Sequence, residues 1–377
     1  MQLQIKAGLR RVWRETGTLQ IGLSRRRGTV IAGLTAADMP LIDRLRDGVD
    51  ASVFEAADDG LEAARRRELV GLLTEAGVLV GTGVGRPLRD GLGSAAERLA
   101  PDAAVWSLVH PDVGDGWGLL AGRAARRVLI CGAGRLGSAL AGTLAAAGVG
   151  ELLISDQRRV TAGDLGPGGA GRLDLGRLRE EATLDGVRRF GGRAERVAAA
   201  SGPVELGSGP DRPDLVVLIE HGAADATAAD RLVSSDQAHL SVVIREDDIL
   251  VGPLVRPGSG PCLRCLDLHR GDRDPAWPSV LAQLLSPASG TLQPEETAAS
   301  MLAAGLVALQ VLTHLDGVAE PATAGATLEI ELPDGLIARR SWPPHPGCGC
   351  HWPPQPPAGS SPERPTVGDD PVTTRDA

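Results

Sequence analysis

Tyrosine is missing altogether from this chain of 377 residues, phenylalanine occurs twice, and the only lysine is Lys6. All the other basic residues are arginines, which leaves every later motif without a lysine. A mutational bias against Lys, Tyr and Phe codons accounts for this composition. An excess of positive charge is missing too. The net charge is -9 and no long basic run occurs, which counts against non-specific nucleic-acid binding. The opening MQLQIKAGLRR lacks the apolar core of a signal peptide. No apolar run is read as reaching the ~20 residues that cross a bilayer. These absences predict a cytoplasmic chain with neither a membrane nor a nucleic-acid partner. In that reducing compartment, five cysteines point to a metal or buried thiols rather than a disulfide framework.

What is present divides the chain. A length of 377 residues exceeds one ordinary core, so two domains are expected. Residues 1–80 hold short β-rich pieces at 11–14, 18–23 and 28–31, the second alternating with period two. Thr35 reads as a helix N-cap, with Asp38 three residues on as in an acidic capping box. Further helices are expected over 51–57 and 61–75, and Val78–Val80 returns as a strand. Three strands, three helices and a returning strand suggest a small winged-helix-like α+β module. Residues 81–124 read as a connecting segment, with a helix near 94–99 and a strand near 105–109. Residues 125–352 alternate strands and helices, which means an α/β domain with a mainly parallel sheet. From 353 to 377 Pro, Gly, Ser and charge dominate, and a disordered tail is expected. The run 295–315 is apolar on most faces and reads as a buried or dimer-forming helix.

Val128-Leu129-Ile130-Cys131 is a buried-type strand running into Gly132-Ala133-Gly134-Arg135-Leu136-Gly137. A helix follows, then a second strand ending in Asp156. That context makes a Rossmann-like reading of the G-x-G-x-x-G specific. Gly132, Gly134 and Gly137 would allow a tight turn, close approach of a phosphate and close helix–strand packing. The helix start offers unpaired N–H groups to an anion, and Asp156 is placed for ribose hydroxyls. Alternatively the glycines serve chain geometry alone. Cys131, ending a buried strand, reads as a small core residue.

Cys262-Leu263-Arg264-Cys265 and Cys348-Gly349-Cys350 are two close pairs far apart in sequence. Each can supply two corners of a tetrahedron. The readings are a closed structural zinc site, a disulfide or four unrelated thiols, and a reducing compartment favours zinc. His345 and His351 flank the second pair and could replace one ligand.

The glycine loop, Asp156, the strand–helix–strand order and the answering cysteine pairs together resemble the ThiF-type superfamily, which includes the ubiquitin-activating enzymes. The resemblance covers roughly residues 126–352. It implies a Rossmann-like fold with a structural zinc site, and ATP as the nucleotide for adenylating a carboxylate. Gly260 to Arg270 and His345 to Cys350 look closer to the ThiF-like partner proteins of azole-forming cyclodehydratases in peptide natural-product pathways. Residues 1–80 resemble the leader-peptide-recognition module of that branch, which is PqqD-like. This implies a peptide partner, a modifying enzyme as second partner, and a homodimer. By the same resemblance Thr29, Val30 and Ile31 form a peptide-accepting strand edge, with Arg66 and Leu69 on the adjoining helix. Arg65, Arg66 and Arg67 would face an acidic leader, or else form a solvated helix face.

This sequence departs from the active family members. Arg158 stands where they carry a second acid, and Pro167 where an arginine reaches the ATP phosphates. Arg177 and Arg179 replace a lysine segment, with Arg179 the candidate nucleotide contact. His221 holds the usual place of a magnesium-handling acid, next to Glu220. Nucleotidyl transfer depends on placing positive charge where negative charge builds up. These losses count against adenylation and against use of ATP. The expected function is a degenerate scaffold that binds a leader peptide and presents it to a partner enzyme. The alternative is an active adenylyltransferase. No catalytic residue is assigned.

Overall fold

The computed structural model describes residues 2–50, 60–82, 85–196, 212–286 and 292–350. The helix expected over 51–57 and the tail from 353 lie outside them.

The N-terminal module contains two small antiparallel sheets. One is β2 (Arg11–Glu15), β3 (Thr18–Ile21) and β4 (Thr29–Ile31), in that order. The other places β1 (Gln2–Ile5) between β5 (Val49–Asp50) and β6 (Leu79–Thr82). The sequence reading missed β1, so it gave the returning strand no partner. β6 in fact pairs with β1. Thr35 and Asp38 form the expected capping box ahead of α1 (Met39–Asp47). In α2 (Ala63–Glu75) the buried positions Arg66, Leu69 and Leu73 recur at helical spacing, and Gly77 ends it with φ +67°. Leu19, Ile21, Leu41, Leu45, Leu69 and Leu73 make the module's core.

The connecting segment is helical: α3 (Gly85–Gly91), α4 (Ala95–Val109) and α5 (Trp117–Ala124). The strand expected near 105–109 is therefore the end of α4. Leu99, Ala103 and Ser107 are buried there at intervals of four, a spacing that only a helix can turn to one side. Lys6, the single lysine, is buried and donates to the Ser107 carbonyl at 2.8 Å, joining the module to α4. Arg123 of α5 is fully buried. Its guanidinium pairs with Asp316, with Nε at 2.8 Å, and lies over the Trp106 ring at 4.9 Å. Asp316→Asn removes the charge facing a buried guanidinium. A loss of about 3–5 kcal/mol in a denaturant titration is expected, against little change for an exposed control.

The large sheet has eight strands in the order β14-β13-β12-β11-β10-β7-β8-β9. The parallel part is β7 (Arg127–Cys131), β8 (Glu151–Ser155), β9 (Arg193–Arg196), β10 (Leu215–His221) and β11 (His239–Ile244). β12 (Asp248–Val255), β13 (Ala326–Glu331) and β14 (Ile337–Ser341) extend it antiparallel. Both faces of the central strands are covered, which is why they read as continuous apolar runs. On one face Val128 and Ile130 pack with Leu136, Leu140 and Leu144 of α6 (Arg135–Ala146) and with Val307 and Val311 of α11 (Thr297–Asp316). On the other, Leu129, Leu153 and Val216 meet Leu232 of α8 (Ala226–Ser234).

The expectation that no apolar run is long enough for a bilayer needs correction. Helix α11 has 20 residues with a mean hydropathy of 1.6 in its most apolar window. More than half of that window, 56%, is buried inside the fold, so core packing accounts for much of its apolar surface.

Candidate functional site

Chain order runs β7, β8, β9 outward on one side and returns through β10 on the other side of β7. The order reverses between β7 and β10, and a crevice opens there beyond the strand ends. The glycine loop forms one wall. Gly132 has φ +102°, and a Cβ on it would lie 2.7 Å from the Ile219 carbonyl oxygen. A Cβ on Gly137 would meet the Gly132 carbonyl at 1.9 Å. Only glycine fits at either place, so α6 starts directly on the loop, at Arg135. Gly134 is its N-cap, and three charged groups ring the space beside it. A Cβ built on Gly134 would lie 3.7 Å from Glu295 Oε2 and 3.8 Å from an Arg179 guanidinium nitrogen and from Asp164 Oδ1.

That ring sits where a phosphate would approach the helix start, and the chain's own groups fill it. Glu295 Oε1 accepts from the Leu136 N–H at 2.9 Å, and its Oε2 lies 3.3 Å from His221 Nε2. Burial works to raise the Glu295 carboxyl. The His221 contact and the Leu136 N–H outweigh it and hold it below the usual carboxylate range. Arg135, pointing from the loop itself, donates to the Glu295 and Gly163 carbonyls. The carboxylate thus takes the place and the hydrogen bond that the helix start would offer an anion.

Asp156 is similarly engaged. It accepts from the Ala133 N–H at 2.8 Å and from the Arg158 N–H at 3.0 Å. The Arg158 guanidinium grips both its oxygens at 2.9 Å. Burial opposes the charge, but this fork outweighs it and keeps the carboxyl below its usual range. Arg158 therefore covers the acid that the sequence reading assigned to ribose hydroxyls. Arg179, the first residue of α7 (Arg179–Arg189), pairs with Asp164 at 2.8 Å and reaches Asp156 only at 3.5 Å. Glu220 turns to the start of α8, where Oε1 accepts from the Asp225 N–H at 3.1 Å. Its other oxygen is buried with no hydrogen-bond partner, and burial pushes the group up to about 7. A cavity of about 610 Å³ beyond it is lined by Arg158, Glu220, His221, Arg245 and Leu292. The residues present do not fit a triphosphate, because its seat holds a carboxylate and its nearest cations are bound to acids or carbonyls.

The sequence reading missed Glu295 and Arg135. Glu295 lies 159 positions from Leu136, and no local pattern links the two. Burial pushes the Cys131 thiol up to about 12, away from the thiolate form.

The second site gathers the four cysteines. Cys262 is the N-cap of α9 (Leu263–Arg273), and its first turn brings Cys265 alongside. Cys348 and Cys350 come from the loop after β14, where Gly349 adopts φ +68°. The sulfur of Cys262 lies 3.4 Å from that of Cys348 and 3.9 Å from that of Cys265, and Cys265 lies 3.3 Å from Cys350. All four sulfurs fall within 4.8 Å of one another. Tetrahedral zinc with sulfur at ~2.3 Å spaces its ligands by about 3.8 Å, so this set fits zinc after small shifts. Val255, Leu266 and Trp342 pack around it. Burial pushes the Cys262 thiol up and raises Cys348 to about 11. A divalent ion would hold such sulfurs as thiolates.

Two of the residues expected to touch a peptide are buried. Arg66 is 4% exposed and Leu69 1% exposed, both turned into the module's core. The apolar stripe of α2 faces the sheets, so the positions read as a contact face are its packing face. Arg65 is engaged with Asp38 and Glu68, while Arg67 is exposed. At the sheet edge, Val30 is 47% exposed, Thr29 is half-buried and Ile31 is buried.

Residues 120–350 match the ThiF family. No curated protein matches the chain in sequence. Among solved structures, the chain is similar to the microcin C7 biosynthetic enzyme MccB in complex with N-formylated MccA. That pair shows 14% identity and a TM-score of 0.68, over 93% of this chain and 99% of the other. E. coli MccB with ATP gives 14% identity and a TM-score of 0.66, over 93% and 100%. PaaA gives 17% identity and 0.65, over 89% and 98%. The glycine crevice, the sheet order and the four gathered sulfurs thus stand beside a family match over most of the chain, and the protein belongs to the ThiF family.

Proposed function

We propose that this ThiF-family protein is a degenerate scaffold that binds a precursor peptide by its leader and presents it to a separate modifying enzyme, such as an azole-forming cyclodehydratase. The observation that carries this reading is the self-filled crevice. Glu295 takes the anion seat and Arg158 covers Asp156. The peptide-binding half rests on the open side of β4, which pairs with β3 alone among the described strands. An extended peptide can add there through main-chain hydrogen bonds. Val12 and Val30 flank Gln20 on the outer face, both partly exposed, and offer apolar contacts to such a strand. MccB solved with MccA supports a peptide-handling role for this fold.

In this reading the zinc is structural and the protein works in the cytoplasm, where five unbridged cysteines are at home. It acts as a homodimer, for which Leu302 and Leu309, both exposed on α11, offer apolar surface. One observation favours active adenylation instead: the loop glycines keep a geometry that only glycine allows.

The test is fluorescence anisotropy with labelled precursor peptides encoded beside this gene. Val30→Asp, at a site exposed enough to tolerate charge, should weaken binding about tenfold, or 1.4 kcal/mol. Equal binding by both proteins would remove the β4 edge from the account. ATP-dependent release of AMP with the same peptides would replace the scaffold by the enzyme.

A further inference from the structure

The sequence offered His345 as a substitute for one clip thiol, but the fold takes it elsewhere. Its ligand atom gathers with those of His269 and Asp272, within 4.8 Å of one another and apart from the four sulfurs. His269 and Asp272 stand three residues apart on α9, hence on one helix face. His345 comes in from the loop that leads to Cys348. We propose that His269, Asp272 and His345 form a second, open metal site for a borderline divalent ion of the zinc type.

The hydrogen bonds around the cluster support this. His269 Nε2 lies 3.0 Å from the Pro343 carbonyl oxygen. A carbonyl only accepts, so Nε2 carries the proton and Nδ1 keeps a lone pair as ligand. A backbone carbonyl holding the far nitrogen is the usual way a ligating histidine is oriented. The two imidazoles meet edge to face with centroids 4.8 Å apart. His345 Nδ1 accepts from the Gly347 N–H at 3.0 Å, so its Nε2 holds a proton and donates it to Asp272 Oδ2 at 2.9 Å. That proton occupies the line between imidazole and carboxylate that a metal ion takes. On binding, the ion replaces it, His345 is protonated at Nδ1 instead, and the Gly347 N–H is released. Gly347 adjoins Cys348, so filling this site is felt in the clip loop.

Two nitrogens and one carboxylate oxygen suit zinc, cobalt or copper, and not magnesium or calcium, which take oxygen. The Asp272 side chain is 67% exposed and that of His345 15%. Solvent therefore reaches the cluster, and water completes the coordination. With three protein ligands the site exchanges its ion more readily than the closed thiolate clip.

The test equilibrates the full chain with buffered zinc, removes free metal, and measures zinc per chain by mass spectrometry. The wild type should hold one ion more than His269→Ala and Asp272→Asn. Unchanged circular dichroism shows that the variants are folded. Cobalt(II) titration gives a second reading. The variants should lose the weak bands of a nitrogen–oxygen site and keep thiolate charge-transfer absorption. Equal zinc contents in wild type and variants, or identical cobalt spectra, would overturn the proposal whatever the clip holds.

Discussion

Cys262→Ser empties the clip of zinc and lowers the thermal midpoint by about 10 °C, the larger of the expected stability losses. The clip ties the first turn of α9 to the loop after β14, and its sulfurs lie in a cluster with Val255, Leu266 and Trp342. Without an ion, four crowded sulfurs cannot all be thiolates, and the loop carrying Gly349 loses its tie to α9 at the sulfurs. Loss of a structural metal belongs among the changes worth about 4–5 kcal/mol. In a domain of this size each kcal/mol moves the midpoint by ~2–4 °C. A colorimetric zinc assay on the denatured protein and a melting scan check both parts. Cys350→Ser should behave alike, since Cys350 meets Cys265 across the same centre. A wild type without clip zinc, together with a variant that keeps its midpoint, would mean that the sulfurs gather without a metal.

The second large effect concerns nucleotide. The wild type should show no pyrophosphate exchange above background, and only weak binding of Mg-ATP in calorimetry. Glu295→Gln should strengthen ATP binding at least tenfold while exchange stays silent. A carboxylate ~4 Å from a phosphate oxygen costs about 4 kcal/mol at an effective dielectric near 20, before screening. Glutamine removes that repulsion, and its neutral amide oxygen holds the Leu136 N–H less strongly than the carboxylate does. In the scaffold reading chemistry should not return, because Pro167 and His221 stand where the resemblance places the cation and the metal-handling acid. Exchange by the wild type, abolished by Asp156→Ala, establishes the adenylyltransferase and ends the scaffold reading. The Glu295 contact also has a pH signature. Its carboxyl is depressed in the fold, so the contact stabilises above about pH 4.3 and fades as pH falls through the folded value.

Much of the fold was legible because its signals are local. Strand, G-x-G-x-x-G and helix follow within twenty residues, and the fold uses them as read. The cysteine pairs were legible by chemistry, since two thiols at short spacing need little else to suggest a shared ion. The β1 strand was not legible. Its pairing with β6 joins residues over 70 positions apart, and four residues carry too little pattern. The stretch 105–109 misled because Val and Trp favour strands, while burial at intervals of four decides for a helix. Arg66 and Leu69 misled because an apolar helix face looks the same whether it meets a peptide or its own sheet.

The sequence by itself determined the ThiF-type α/β fold, the glycine turn and which sulfurs can converge. Each depends on backbone geometry or side-chain chemistry within a short segment. Only the tertiary structure decided what fills the crevice. Glu295 beside Leu136, Arg158 across Asp156 and His345 against Asp272 are matters of direction and distance between side chains. A charge in a sequence has no direction until packing gives it one.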